Sequence, residues 1–67
     1  MMYRNYMTNF GWFADGSFAT FADALAAARN GGFETSIYKD GELVAGWGIF
    51  SGVQFYSDAV RAEFYAK

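Results

Sequence analysis

The stretch GGFETSIYKDGELVAGWGIF, residues 31–50, decides how the chain is read. Asp40-Gly41 separates two runs of alternating character, Phe33 to Lys39 and Glu42 to Ile49. A two-residue loop of this kind selects a type I′ turn, because both central residues must take positive φ and Asp-Gly tolerates that. Counting outward from the turn predicts the register: Lys39 opposite Glu42, Tyr38 opposite Leu43, Ile37 opposite Val44, Thr35 opposite Gly46 and Glu34 opposite Trp47. Opposite charges at Lys39 and Glu42 agree with it.

Side chains alternate across a strand, so this register sorts the hairpin into two faces. One carries Phe33, Ile37, Val44, Gly46 and Gly48, and the other carries Glu34, Ser36, Tyr38, Leu43, Ala45, Trp47 and Ile49. Two same-face glycines leave room for close backbone approach, and the expected occupant is an Ala-rich helix. The face with Tyr38, Leu43 and Trp47 then needs another cover or has none.

That helix lies just upstream. Residues 21–30, FADALAAARN, are dominated by Ala, the best helix former. Thr20 is placed to cap its free N–H groups, Asp23 suits the first-turn dipole, and Gly31-Gly32 ends it with a left-handed residue. Phe21, Ala24, Leu25 and Ala28 share one face at helical spacing. Further out, Tyr3 to Phe13 reads as a first strand, Ser51-Gly52 as a turn and Val53 to Tyr56 as a short fourth strand. Ser57 caps a final helix from Asp58 to about Ala66, with Val60 and Phe64 as its buried stripe. The expected fold is one α+β domain over residues 1–67 in the order β-α-β-β-β-α. Its antiparallel sheet has three to four strands, with the Ala-rich helix on one face and a short C-terminal helix.

Composition limits the chemistry. The 67 residues include no Cys, no His and no Pro, which removes disulfides, thiol nucleophiles, His-dependent bases and the usual zinc and haem ligands. A domain this small without staples must bury rings, and 8 Phe, 5 Tyr and 2 Trp, at about 150–250 Å² each, supply them. Most of the aromatic content is therefore assigned to the core first. With 5 Lys+Arg against 7 Asp+Glu the net charge is −2, so no direct nucleic-acid binding by phosphate neutralisation is expected. The N-terminal MMYRNYMTNFGWF lacks a basic segment followed by a continuous apolar one, and no long apolar run follows, so a cytosolic location without membrane contact is expected.

Catalysis finds no vocabulary. Ser17, Ser36, Ser51 and Ser57 have no His to activate them, and Lys39 beside a solvent-facing turn lacks the desolvation that lowers a lysine pKa. Asp40 and Glu42 flank a turn instead of opposing one another across a cleft. Gly46-Trp47-Gly48 begins like a dinucleotide fingerprint, but Ser51 stands at the third glycine and the segment reads as strand. Asp40-Gly41-Glu42 lacks the spaced oxygens of a calcium loop. A non-enzymatic chain with no cofactor and no metal is expected.

An interaction protein remains. Tyr38, Leu43 and Trp47 form the expected apolar centre of a partner-binding surface, with Glu34, Asp40 and Glu42 as its acidic rim. The C-terminal helix or a second copy of the chain is the competing cover for that face. A second mode uses Asp15, Asp40, Glu42, Asp58 and Glu63 along an edge, meeting the basic groove of a nucleic-acid-handling enzyme. Base stacking is disfavoured, because Glu34 and Glu42 stand where Lys and Arg normally frame such rings.

A very short chain with an Ala-rich capped helix, then the GGFETSIYKDGELVAGW hairpin, resembles the small α+β orphan proteins of bacteriophages and mobile elements, among them the anti-CRISPR inhibitors. The likeness spans most of the chain and rests on overall pattern, so no residue role is carried over. It implies an inhibitor acting in the host bacterial cytoplasm, binding a Cas protein or surveillance complex and blocking DNA binding or nuclease recruitment. The alternative is a homodimeric structural or regulatory domain of bacterial origin with no nucleic-acid-related target.

Overall fold

Asp40 and Gly41 take φ of 51° and 88° in the computed structural model, so the turn is of the positive-φ kind that Asp-Gly selects. The structure describes residues 2–14 and 16–66. Its elements are β1 (Tyr3–Met7), β2 (Gly11–Trp12), α1 (Phe21–Gly31), β3 (Thr35–Lys39), β4 (Glu42–Gly48), β5 (Gly52–Phe55) and α2 (Asp58–Tyr65). The strands form one antiparallel sheet in the order β2-β1-β3-β4-β5. The class is α+β as the sequence predicts, with five strands instead of three to four.

The additional strand comes from the expected single strand Tyr3 to Phe13, which folds back on itself. Asn9 and Gly11 adopt φ of 71° and 104°, conformations that Asn and Gly reach most easily, and the chain reverses there to pair Tyr6 with Trp12. Both helices form where their caps direct. Thr20 Oγ1 accepts from the Asp23 N–H at 3.1 Å, Gly32 closes α1 with φ 74°, and Ser57 Oγ accepts from the Val60 N–H at 3.3 Å.

The hairpin register departs from simple counting at one point. Tyr38 pairs with Leu43 but Ile37 pairs with Ala45, which leaves Val44 as the extra residue of a β-bulge. Strict alternation would bury Val44 and expose Ala45. The bulge buries both, and this gain in apolar contact is the physical reason for the shift. Every residue beyond it on β4 changes face. Thr35 therefore meets Trp47, not Gly46; Glu34 is not Trp47's partner; and Ser36 meets Gly46.

The consequence overturns the expected position of α1. The helix covers the face with Tyr3, Asn5, Ile37 and Ala45, while Gly46 looks out of the opposite face towards Tyr56. Phe21 is the centre of the core, its ring meeting those of Tyr3 at 5.8 Å, Phe55 at 5.3 Å and Phe64 at 5.4 Å. Asn5 is fully buried beneath the helix, and its Nδ2 donates to the Ala24 carbonyl at 2.8 Å. α2 packs against α1 and β5, with Val60 buried and Phe64 partly so. Both helices thus lie on one side of the sheet, and neither covers the other side.

Candidate functional site

The uncovered face is built by cross-strand rows. Trp12, Tyr6, Ser36, Gly46 and Gln54 form one continuous row, each paired with the next across all five strands. Arg4, Tyr38 and Leu43 form the adjoining row. Large rings therefore occupy the β2–β1–β3 half, and the first row continues across β4 and β5 as Gly46 and Gln54.

The ringed half is a connected ridge. Tyr6 and Trp12 meet edge to face at 5.1 Å, Trp12 and Tyr38 at 5.2 Å, and the Arg4 guanidinium lies 4.4 Å from the Trp12 ring centre. Tyr6 is 38% exposed, Trp12 48% and Leu43 43%. The hydroxyls of Tyr6 and Tyr38 have no hydrogen-bond partner among the described residues. On the other half, Glu34, Ser36, Gly46, Gln54 and Tyr56 surround a depression of about 60 Å³. Tyr56 Oη donates to Gln54 Oε1 at 3.3 Å, and its ring borders the space above Gly46.

No protein-family model, curated protein or solved structure matches this chain. The site is therefore assigned from its geometry alone.

Of the residues singled out from sequence, Tyr38 and Leu43 sit opposite one another on the open face. Trp47 does not join them. The bulge turns it to the helix side, where it is partly buried against the core, so its place in the expected apolar centre is corrected. Asp40 and Glu42 flank the β3–β4 turn, whereas Glu34 lies beyond the opposite end of β3. The acidic rim is thus divided between two ends of the sheet. Among the edge acids, Glu63 is on the helix side, accepting from the Tyr3 hydroxyl at 3.2 Å and lying 3.9 Å from Lys39 Nζ. Asp58 opens α2, and Asp15 lies outside the described residues.

Sequence reasoning missed Arg4, Tyr6, Trp12 and Tyr56 as parts of this surface. The signal for Tyr6 and Trp12 was the Asn9 and Gly11 pair inside an aromatic run, a turn pattern read as strand. Elsewhere, burial first and then Glu63 push the Tyr3 hydroxyl up to about 12, away from the open face. Among the described residues no group of His, Cys, Asp and Glu is placed to hold a metal ion, and no helix is long and apolar enough to cross a membrane.

At the end of the sheet formed by the β4–β5 turn, Ile49 is 65% and Phe50 99% exposed. Phe10 and Phe33 meet there at 5.1 Å, both largely exposed. This apolar end adjoins the open face through Glu34, which borders the depression at Gly46 and a second one lined by Gly48, Ile49 and Phe50.

Proposed function

We propose that the chain is a non-enzymatic protein-binding module whose contact surface is the open sheet face. The observation that carries this reading is the placement of both helices on one side, leaving Tyr6, Trp12, Tyr38, Leu43 and Tyr56 together on the other. Monomeric soluble proteins rarely expose contiguous apolar patches above about 300–600 Å² without a use for them. Tyr, Trp and Arg are also the types that dominate binding energy when desolvated, and Arg4 on Trp12 supplies all three kinds with Tyr38. Two-χ rings held in edge-to-face contact lose little further freedom on binding, so their burial converts efficiently into affinity.

The resemblance to anti-CRISPR inhibitors supplies the candidate partner, a Cas protein or surveillance complex of the host bacterium. The geometry favours steric blockade by the aromatic ridge over imitation of a DNA backbone, because Glu34 is separated from Asp40 and Glu42 by the length of β3. Direct binding of single-stranded nucleic acid by the ridge is disfavoured by charge: Arg4 is the one cation of this face among the described residues, and the net charge is −2.

The test is retention of a purified surveillance complex by the immobilised chain, followed by competition with target DNA. Retention that is lost with Tyr38→Ser and kept with Asp58→Ser supports the reading. Failure to retain any Cas protein removes the CRISPR assignment, and retention indifferent to Tyr38 removes the face.

A further inference from the structure

We infer that the open face is self-complementary and that its occupant in the free protein is a second copy of the same chain, paired face to face about a twofold axis along β3. The inference rests on the reading of this face as a protein-binding surface and names what binds it.

The argument begins with the row Trp12, Tyr6, Ser36, Gly46, Gln54. Its middle residue lies on β3, the central strand of five. A twofold axis along that strand carries each row onto itself in reverse. Tyr6 of one copy then lies over Gly46 of the other, and Trp12 over Gln54. The row runs from two rings through serine to glycine and then Gln54, so Tyr6 of each copy meets the hollow over Gly46 of the other, beside the Tyr56 ring. In the adjoining row the same operation brings Arg4 over Leu43.

The polar chemistry matches as well. The Tyr6 and Tyr38 hydroxyls lack partners within the described residues, while the hollow is bordered by Glu34, Ser36 and Gln54, which supply acceptors. Tyr38, on the axis strand, meets its own counterpart, and the two rings stack at the centre, where anchors are worth most.

Area agrees with a stable pair. Five strands about 4.8 Å apart and about five residues long cover roughly 400 Å² in projection, and the relief of protruding rings raises the accessible area to about 600–800 Å². Stable interfaces bury about 800 Å² per partner. That is roughly a fifth of the 4307 Å² surface of this chain, within molecular extents of 30 × 25 × 18 Å. A net charge of −2 per copy adds little repulsion between copies.

Two substitutions test the arrangement from opposite sides. Trp12→Lys removes the ridge, and Gly46→Lys fills the hollow; an added Cβ at Gly46 makes only ordinary contacts, at 3.6 Å or more, and its φ is not positive, so the fold accepts it. Light scattering at about 100 µM should give twice the 7.5 kDa chain mass for the unaltered protein and the single mass for each variant. Each substitution should weaken self-association at least tenfold. An equimolar mixture of the two variants should recover part of the paired mass, because one ridge and one hollow remain intact between unlike chains.

Unaltered chain that stays at single mass overturns the inference, as does pairing that survives either substitution. Should a variant fail to fold, the unaltered chain still decides: on dilution its amide resonances at Tyr6, Ser36, Tyr38 and Gly46 must shift, and shifts confined to other residues overturn the arrangement. Loss of Cas-complex retention in a Trp12→Lys variant of a chain that never pairs would overturn this inference alone and leave the protein-binding reading standing.

Discussion

Trp47→Ala compared with Trp12→Ala tests the bulge at Val44 directly. Simple alternation from the Asp40-Gly41 turn puts Trp47 on the exposed side, where its loss would cost little. The observed register packs it against the core beside Val53 and opposite Thr35. A tryptophan carries up to about 250 Å², and removing roughly two-thirds of that from water at about 25 cal/mol per Å² makes truncation worth about 2–4 kcal/mol after allowing for a compact unfolded chain. A chain of 67 residues has a total stability of about 3–10 kcal/mol, so the loss is a large fraction of the whole. At about 4–8 °C per kcal/mol for a small domain, the melting temperature should fall by about 10–30 °C. Trp12, half exposed on an outer strand, should cost about 1 kcal/mol through its contacts with Tyr6 and Tyr38. The assay is urea unfolding followed by circular dichroism, at a concentration low enough to keep the chain monomeric. If Trp12→Ala proves as costly as Trp47→Ala, the bulge argument fails.

Thr20→Ala removes the oxygen that accepts from the Asp23 N–H and should cost about 1 kcal/mol by denaturant melt. Gly41→Ala forces a Cβ into a turn position at φ 88° and should cost about 1–2 kcal/mol, with loss of hairpin order visible in amide exchange at Tyr38 and Leu43. The Tyr3 phenol is held up to about 12, above its ordinary 10, so the fold prefers its neutral form. Its stabilisation is therefore complete below about pH 10 and lost as pH rises towards 12; Tyr3→Phe should flatten that alkaline decline in thermal melts.

What could be read in advance follows from how local each signal is. Thr20, Gly32, Ser57 and the Asp40-Gly41 turn act through their own backbone neighbours, and all four stand where the sequence places them. The Val44 bulge is different. Its driving force is the burial of two consecutive apolar residues under a helix that is not part of the hairpin, and no spacing within the hairpin reveals it. One extra residue then reversed the faces of Gly46 and Trp47, and with them the membership of the site. The β1–β2 reversal was marked by Asn9 and Gly11, but the rings around them imitate a strand. Tyr38 and Leu43 were assigned to the correct face because they precede the bulge, counting from the turn.

The ring cluster around Phe21 also bears on cooperativity. Phe21 meets Tyr3 from the first strand, Phe55 from the last strand and Phe64 from the last helix. Its neighbours thus come from both ends of the chain, while β3 joins the two halves by pairing with β1 on one side and β4 on the other. The β3–β4–β5 meander closes only short loops, but it lacks the ring that fills its helix side until α1 arrives. The N-terminal hairpin and α1, in turn, leave Phe21 open to water until β5 and α2 close over it. Neither half holds a complete core, and so the domain should fold and unfold as a single unit, with no stable fragment on either side of β3.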